Sequence, residues 1–439
     1  MHTTDLWPAP YAESPVSGTV RVPGSKSLTN RYLVLAALAR PGSTSTVRRP
    51  LVSRDTVLMR AALEQFGLRF EADQADTTWT IHTPVGLESD FSIDAGLAGT
   101  VMRFLPPVAA LTRGSVTFDG DAAARTRPMG PLVQCLRDLG VGIDSTDSPS
   151  PGAHTPEPHL PIVVHGTGAV RHSDVAIDAS SSSQFVSALL LAGARFDRGL
   201  VLRHIGRGLP SRPHIEMTLH TLREVGVQVS ESAPGVWVIE PGPIAALDVT
   251  VEPDLSSAAP FLALAAVTGG TITVPEWPTS TTQAGDAMRG VLTGMGATTQ
   301  VNDEGLTITG PAPGTLRGVD IDLHDVGELT PVIAAAAAHA HTPSRLRGVA
   351  HLRGHETDRL LALHTELSRM GGDVDQHEDG LSIRPAVLRP AQLQTYHDHR
   401  MAMAAAVLGA RVAGTTVADV GTTAKTYPGF AAQWSELVR

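Results

Sequence analysis

Stretches rich in Ala, Leu and Val recur along the chain and predict six buried helices. Each is apolar almost all round, which is the pattern of a helix enclosed by protein. A short strand-like run follows each of them, and then a second segment with apolar residues at helical spacing, as at Ile215, Leu219 and Leu222. The six buried helices are predicted to begin near Asn30, Thr100, Ser183, Ser257, Thr330 and Arg400.

The starts of these helices lie 70 to 83 residues apart. The longest interval contains a Pro-rich stretch, residues 148–161, which predicts an exposed loop. Any α/β chain alternates its elements, so part of this regularity is expected without repetition. Six near-equal intervals nevertheless favour six copies of one α/β unit of about 70 residues. Three copies per domain would give two similar domains that meet near residues 245–249.

Composition narrows the possible functions. The chain has 439 residues, of which 42% are hydrophobic and only 4% aromatic, so its core must come mainly from small aliphatic side chains. A net charge of −10 argues against broad binding to nucleic acid or to anionic membranes. The single Cys135 excludes an intramolecular disulfide and fits a reducing compartment. With no apolar run of about 18 residues and no signal-like N-terminus, we expect a cytoplasmic protein.

Small hydroxyl residues, Gly and basic residues cluster where five of the buried helices begin. The N-terminus of a helix presents free N–H groups and partial positive charge, so such ends bind phosphates and carboxylates. The alternative is that the Ser, Thr and Asn residues merely cap their helices. Capping does not explain Lys26, Arg31, Arg103 and Arg400, which lie on or beside apolar helices where an unpaired charge is costly.

Eight motifs in this order resemble the 5-enolpyruvylshikimate-3-phosphate (EPSP) synthase family, and the resemblance spans nearly the whole chain. They are GSKSLTNR, LAGTVMR, RTRPMG, SSSQF, LPSRPHIEM, HETDRL, TYHDHRMAM and AKTYPGF, and the sequence is most similar to actinobacterial members. The resemblance implies an α/β fold of two lobes, each with three βαβαββ repeats in an inverted α/β barrel-like arrangement. Residues 24–248 would carry the motifs for shikimate 3-phosphate. Residues 1–23 and 249–439 would form the second, discontinuous lobe.

The resemblance also implies the reaction. The enolpyruvyl group of phosphoenolpyruvate would pass to the 5-hydroxyl of shikimate 3-phosphate through a tetrahedral intermediate in a closed cleft between the lobes, with release of phosphate. Glu356 would be the proton donor, Glu328 the base near the 5-hydroxyl, and Lys26 a third catalytic residue. No cofactor and no metal is required. Glyphosate is an expected inhibitor, and the family points to a monomer.

The substrate-binding residues implied by the family fall into two overlapping sets. Those expected for shikimate 3-phosphate are Lys26, Ser27, Arg31, Ser182, Ser183, Gln184, Ser211, Glu328, His351 and His355. Those expected for phosphoenolpyruvate are Lys26, Gly99, Arg127, Gln184, Arg359, Arg400 and Lys425.

Some positions depart from the commonest family pattern. Glu328 stands where Asp is usual, while His351 and His355 stand where Asn and Lys are usual. A Lys stays charged at neutral pH, whereas a His ordinarily titrates near pH 6.5. We therefore expect shikimate 3-phosphate to bind more weakly above that pH than in a Lys-bearing enzyme.

Two other functions are compatible with parts of the sequence. A related enzyme transfers enolpyruvyl to a UDP-amino sugar and typically uses a Cys on a mobile loop as the acid, but Cys135 lies at a core position of a predicted helix. A non-catalytic repeat scaffold that binds an anion is the second alternative. Both Glu328 and Glu356 lie among many basic residues, which argues against it.

The fourth repeat has no Lys or Arg near its helix start, so we expect that end to be structural, with Asp254 near a hinge.

Overall fold

The computed structural model describes residues 6–149 and 156–439. They divide into two compact units. The first, called the continuous unit, is Gly24–Val251, and the second, called the discontinuous unit, joins the residues up to Pro23 to Glu252–Arg439. Each unit has its own core of buried side chains. Among the described residues no helix combines the length and the apolar character needed to span a bilayer.

The described residues form thirteen α-helices, numbered α1 to α13 in chain order. They are Lys26–Leu38, Arg54–Gln65, Gly99–Phe104, Pro106–Ala109, Gly130–Asp138, Ser183–Gly193, Arg212–Glu224, Leu255–Thr268, Met288–Gly294, Thr330–Ala337, Arg359–Arg369, His399–Gly409 and Phe430–Val438. Short 3₁₀ segments span Ala124–Thr126, Ala284–Ala287, His324–Leu329, Ala350–Gly354 and Val420–Lys425.

The same residues form twenty-three strands, numbered β1 to β23. They are Leu6–Pro8, Gly18–Thr19, Thr44–Arg48, Arg69–Ala72, Thr78–His82, Phe91–Asp94, Arg113–Asp119, Gly142–Pro149, Pro156–Thr167, Asp174–Ile177, Leu200–His204, Val229–Ala233, Val236–Ile239, Asp248–Thr250, Thr271–Pro275, Thr298–Asn302, Gly305–Thr309, Asp320–Asp322, Ser344–Arg347, Asp373–Gln376, Leu381–Arg384, Gln392–Leu393 and Thr416–Ala418.

These strands build six small sheets in the described part of the chain, and their topology repeats. In the second repeat β6 is parallel to β7, β7 is antiparallel to β9, and β9 is antiparallel to β8. The order β10-β11-β13-β12 is the same arrangement one repeat later. Each four-stranded sheet thus has the strand order of a βαβαββ unit, which confirms the repeated α/β fold predicted from the spacing of the helices.

Three sheets take one strand from a distant part of the sequence, and in one of them β2 pairs in parallel with β15 of the fourth repeat. In the continuous unit β14 pairs in parallel with β3, so the end of the unit supplies the first strand of its first repeat. This pairing holds Asp248–Thr250 in the continuous unit, whose last residue is Val251. In the discontinuous unit β1 pairs antiparallel with β23 and completes the sheet of the last repeat.

The apolar helices are buried as predicted. Every residue of α8 is buried, and so is every residue of α12. The second repeat differs because Pro106 and Pro107 interrupt the helix, which the structure divides into α3 and α4. A prolyl residue lacks the N–H that would continue the helical ladder, so the break follows from the sequence.

The Pro-rich stretch at residues 148–161 is not an exposed loop where the structure describes it. Residues 148 and 149 pair with residues 157 and 156, so β8 and β9 form a long hairpin. Residues 150–155 of the predicted loop lie outside the described residues. Proline is compatible with a strand at an edge or beside a bulge, and the register shifts between Ser145 and Thr146.

Candidate active site

Lys26 is the first residue of α1, and a buried carboxylate holds it. Ser25 caps the helix by accepting a hydrogen bond from the Leu28 amide. The Nζ atom of Lys26 lies 3.2 Å from Oδ2 of Asp55, whose side chain is only 3% exposed. Asp55 is not among the site residues expected from the sequence. Its signal was an acidic residue in the first turn of α2, where it also suits the helix dipole.

Arg31 of the same helix is enclosed by protein. It is 2% exposed, and its guanidinium lies 5.4 Å from the ring centre of Phe104. The guanidinium donates to the carbonyl oxygens of Ser27 and His214, both at 2.9 Å. It also donates to the Thr218 hydroxyl at 2.8 Å. These contacts tie the first turn of α1 to α7, so the predicted ligand Arg31 is part of the support beneath Ser27.

Gly99, Arg127 and Gln184 converge in the continuous unit. A Cβ atom placed on Gly99 would lie 3.0 Å from Nη2 of Arg127 and 3.1 Å from Oε1 of Gln184. Arg127 is 9% exposed and donates to the carbonyl oxygen of Leu97 at 3.2 Å. Its Nε is buried with no hydrogen-bond partner among the described residues. The three predicted phosphoenolpyruvate residues of this unit, apart from Lys26, are therefore neighbours.

Arg103 joins this group to the start of α6. Its Nη1 atom donates to Oε1 of Gln184 at 2.9 Å and to Oγ of Ser182 at 3.4 Å, and its guanidinium stacks 4.8 Å from the ring centre of Phe185. Ser182 caps α6 by accepting from the Gln184 amide, so the capping interpretation holds for this hydroxyl. Ser183 is the first helical residue. Arg103 therefore holds the side chain of Gln184 in place.

Ser211 precedes α7 in a left-handed conformation, with φ 55° and ψ 45°. Non-glycine residues adopt this region infrequently, and often at functional sites. Its carbonyl oxygen accepts from the amide of His214 at 3.0 Å. The turn presents Ser211 at the N-terminus of a thirteen-residue helix, a position suited to an anion.

In the discontinuous unit, two cations hold Glu356. Oε1 accepts from Lys425 Nζ and Oε2 from Arg359 Nη2, each at 2.9 Å. Arg359 is 3% exposed and also donates to Asp398. Burial alone would lower the pKa of Arg359, but the charges of Asp398 and Glu356 more than offset it and raise that pKa. Arg359 therefore remains a cation.

Asp398 is a helix cap as well as an ion-pair partner. It precedes α12 and accepts from the Arg400 amide at 2.8 Å. The two preceding residues, Tyr396 and His397, both have φ 55°. Tyr396 donates to the buried Glu366 at 2.6 Å, and His397 contacts Asp419 at 3.0 Å. The left-handed loop is thus held on both sides just before it delivers Asp398.

Asp358, a second acidic residue beside a predicted substrate Arg, has a different partner. It caps α11 through the Leu361 amide at 3.0 Å and pairs with Arg353 at 3.0 Å. Neither of these two contacts involves the side chain of Arg359.

Glu328 lies in the 3₁₀ segment before α10 and accepts a short hydrogen bond from the hydroxyl of Ser256. Its other carboxylate oxygen lies 3.9 Å from Nη2 of Arg400. Arg400 in turn donates to the carbonyl oxygen of Ser256 at 3.0 Å. Ser256 belongs to the fourth repeat, whose helix start was expected to be structural. The sequence does not single out Ser256, because that helix start carries no basic residue.

Three histidine rings lie close together in the discontinuous unit. His351 lies 5.8 Å from His324 and 5.7 Å from His355, measured between ring centres. His355 Nδ1 is 3.4 Å from Nη1 of Arg359. Burial, with the charges of His324 and Arg359, lowers the pKa of His351 to about 4, so this ring is neutral at pH 7. The two predicted His residues are thus brought together beside Arg359.

Two further features bear on the use of a cysteine as the acid and on metal binding. Burial, with a smaller contribution from Asp138, raises the pKa of Cys135 to about 12, so its thiol stays protonated and is a core group. Within the described residues no cluster of three His, Cys, Asp or Glu side chains could hold a metal ion.

Comparison with known proteins identifies the family. The model of EPSP synthase (3-phosphoshikimate 1-carboxyvinyltransferase) matches residues 10–434. The chain belongs to the EPSP synthase family. A Kocuria rhizophila protein named 3-phosphoshikimate 1-carboxyvinyltransferase is 54% identical over 99% of this chain and 97% of its own length. A Mycobacterium ulcerans protein of the same name is 49% identical over 100% of this chain and 99% of its own length. The predicted family, with its similarity to actinobacterial members, is confirmed.

Solved structures have the same fold. An EPSP synthase structure from Acinetobacter baumannii superposes with a TM-score of 0.79 at 24% identity, covering 99% of this chain and 97% of that one. The enolpyruvyl transferase NikO from Streptomyces tendae superposes with a TM-score of 0.76 at 18% identity, covering 99% of this chain and 98% of that one.

The EPSP synthase family is an enzyme family of the shikimate pathway, and it transfers enolpyruvyl from phosphoenolpyruvate to shikimate 3-phosphate. Membership confirms the predicted enzyme class and reaction.

Proposed function

We propose that this chain makes 5-enolpyruvylshikimate 3-phosphate with Glu356 as the proton donor and Glu328 as the base. The observation that carries the proposal is the position of Glu356 between two cations, 2.9 Å from both Lys425 and Arg359. Two cations favour the ionised carboxylate. Phosphoenolpyruvate brings carboxylate and phosphate charges that compete for the same cations. Binding of the substrate would thereby release Glu356 to hold the proton that the methylene carbon receives.

Glu328 would accept the proton of the 5-hydroxyl as that oxygen adds to C2 of the enolpyruvyl group. One carboxyl must be protonated and the other ionised at the same pH, which different surroundings can arrange. Glu328 has Arg400 at 3.9 Å and the hydroxyl of Ser256 as a donor, and both favour its ionised form. Lys26 would neutralise developing negative charge, with Asp55 holding its ammonium group in place.

We propose that phosphoenolpyruvate is bound by cations and by one glycine. The absence of a side chain at Gly99 leaves room for the ligand beside Arg127 and Gln184. The anionic carboxylate and phosphate groups match guanidinium and ammonium donors in geometry and charge. The proposed set is Lys26, Gly99, Arg127, Gln184, Arg359, Arg400 and Lys425.

Shikimate 3-phosphate would be held by helix starts, with its phosphate near α6 and α7. Ser182 and Ser183 begin α6, and Ser211 precedes α7. Arg31, being 2% exposed, would contribute by fixing Ser27, whose carbonyl oxygen it binds. The proposed set is Lys26, Ser27, Arg31, Ser182, Ser183, Gln184, Ser211, Glu328, His351 and His355.

A phosphate-release assay tests this function. Release of phosphate from phosphoenolpyruvate should require shikimate 3-phosphate and should not occur with UDP-N-acetylglucosamine. Glu356→Gln and Lys26→Ala should each lower kcat by at least about 100-fold, the range for loss of a general acid or a charged stabilising group. Glu240→Gln, at an exposed position, is the matched control and should leave kcat unchanged. Full activity in Glu356→Gln would remove the acid from the proposal.

We also propose the remaining properties expected from the family. The enzyme would act as a monomer in the cytoplasm, where a single buried Cys135 is compatible with reducing conditions. Glyphosate would compete with phosphoenolpyruvate in the space beside Gly99. The lobe assignment, with residues 24–248 binding shikimate 3-phosphate and residues 1–23 and 249–439 supplying the two glutamates, belongs to the same proposal. Sedimentation would test the monomeric state, and competition kinetics would test the binding of glyphosate.

A further inference from the structure

Ser256 of the fourth repeat contacts both Glu328 and Arg400. It is the second residue of α8, after the cap Asp254, and is 6% exposed. Its hydroxyl donates to Oε1 of Glu328, and its carbonyl oxygen accepts from Nη1 of Arg400 at 3.0 Å. A single residue thus engages one carboxylate and one guanidinium through different groups.

We infer that Ser256 is a positioning residue that holds Glu328 in the orientation needed for its role as base. The inference rests on the proposed function, in which Glu328 accepts the proton of the 5-hydroxyl. Glu has one more rotatable bond than the Asp common at this position, so an unrestrained carboxylate would occupy more orientations. Fixing such a side chain costs conformational entropy, and a hydrogen bond from a rigid helix offsets that cost.

The surroundings of Ser256 make the hydroxyl rigid. α8 is buried along its whole length, and Asp254 caps it by accepting from the Ser257 amide at 2.8 Å. Arg400, which binds the carbonyl oxygen of Ser256, is itself anchored through its amide to Asp398. The hydroxyl therefore projects from a helix end that is fixed on two sides, whereas Glu328 comes from a short 3₁₀ segment with an irregular residue at Val326.

The neighbouring Ser257 provides a matched control. It is fully buried on the same helix, and its Oγ atom has no hydrogen-bond partner among the described residues. Ser256→Ala and Ser257→Ala each remove one hydroxyl from adjacent positions. Only the first removes a donor to Glu328, and neither alters the carbonyl oxygen that Arg400 binds.

Steady-state kinetics of the full-length enzyme test the inference. Loss of a hydrogen bond to a charged group predicts that Ser256→Ala lowers kcat roughly 10- to 100-fold. The KM values for both substrates should stay within about threefold, because the binding cations are untouched. Ser256→Thr keeps a hydroxyl and should recover most of the activity, and Ser257→Ala should keep kcat within about twofold.

A double-mutant cycle with Glu328→Asp ties the effect to this pair. The Asp carboxylate is one methylene shorter and should not reach Ser256, so adding Ser256→Ala to Glu328→Asp should cost less than about threefold. An equal loss in both backgrounds would overturn the inference, since the hydroxyl would then act elsewhere. So would unchanged kcat in Ser256→Ala.

Glu328→Gln separates this inference from the function on which it rests. If Glu328→Gln is inactive and Ser256→Ala is fully active, the positioning role fails while the base assignment stands. If Glu328→Gln keeps the kcat of the parent enzyme, the base assignment itself fails and the positioning role falls with it. Urea denaturation of Ser256→Ala should match that of Ser257→Ala, which excludes misfolding as the cause of lost activity.

Discussion

Asp398 binds the guanidinium of Arg359 through both carboxylate oxygens, with Nε at 2.7 Å and Nη2 at 3.2 Å. Neither side chain is more than 3% exposed. The same Nη2 atom donates to Glu356, and the same aspartate caps the helix that begins before Arg400. One buried carboxylate therefore sets the positions of two arginines from different helices.

Asp398→Asn should be strongly destabilising because it leaves the buried cation of Arg359 without its main partner. Breaking a buried ion pair by removing one charge costs about 3–5 kcal/mol. The KM for phosphoenolpyruvate should also rise, since Arg359 loses its fixed orientation. Urea denaturation and steady-state kinetics measure these effects. Asp358→Asn is the control and should cost about 1 kcal/mol or less, because Asn can still cap α11 and the Arg353 pair is partly exposed.

Much of the fold could be predicted from the hydrophobic pattern, because each repeat must bury one apolar helix. α6 begins at Ser183 and α10 at Thr330, where the pattern places them. What the pattern could not supply is long-range pairing. β14 joins β3, and β1 joins β23, across nearly the full length of a unit, and no local signal specifies such partners. The long hairpin of β8 and β9 was missed because proline usually indicates a turn.

The site was predictable where charge stands out in an apolar setting, as at Lys26 and Arg400. The site was less predictable where a neutral or acidic group supports another side chain of the site. Ser256 is one serine among many, and only the tertiary contact with Glu328 distinguishes it. Asp55 and Arg103 act through Lys26 and Gln184, which lie far away in sequence. Such supporting contacts depend on packing between repeats, which single-sequence patterns do not reveal.

Asp55→Asn should impair Lys26 without unfolding the protein. The pair at 3.2 Å joins a 3% exposed carboxylate to a 19% exposed ammonium group. A hydrogen bond to a charged group contributes about 1.5–3 kcal/mol, so kcat/KM should fall by at least about tenfold. Asp121→Asn removes the partner of the exposed Arg54 and should change kcat/KM by less than about twofold. Equal effects of the two variants would contradict a role for Asp55.

Tyr396→Phe should loosen the left-handed loop before Asp398. Burial and the hydrogen bond to Glu366 raise the pKa of Tyr396 to about 12, so its hydroxyl keeps the proton it donates. Non-glycine residues at φ 55° cost about 1–3 kcal/mol each and need such anchors. We expect a loss of about 1.5–3 kcal/mol in unfolding free energy and a several-fold higher KM for phosphoenolpyruvate. Tyr11→Phe, at a 41% exposed residue, should change neither.

His355 should make the affinity for shikimate 3-phosphate depend on pH. A protonated ring attracts the anionic substrate, and that attraction is lost as the ring gives up its proton with rising pH. Arg359, 3.4 Å away, and His351 face the ring. If the charge contributes about 1 kcal/mol, KM for shikimate 3-phosphate should rise about fivefold between pH 6 and pH 8. His355→Lys should show little change over this range, and an unchanged profile in that variant would exclude His355 as the cause.

His351 should make the protein less stable in acid. Burial and the charges of His324 and Arg359 lower its pKa to about 4, while Asp325 acts in the opposite direction. The unfolded chain, with an ordinary value near 6.5, therefore binds more protons between pH 6.5 and pH 4. Stability is complete above this window and is lost as the pH falls through it. Between pH 7 and pH 5 the titration of His351 should lower the free energy of unfolding by about 1–2 kcal/mol.

His351→Asn should remove this part of the acid sensitivity, which urea denaturation at pH 7 and pH 5 would measure. The control is His220→Asn, because the side chain of His220 is 57% exposed and pairs with Glu224 across one helical turn. That variant should keep the stability difference of the parent enzyme. If His351→Asn loses as much stability as the parent between pH 7 and pH 5, the buried ring is not the group that titrates on unfolding.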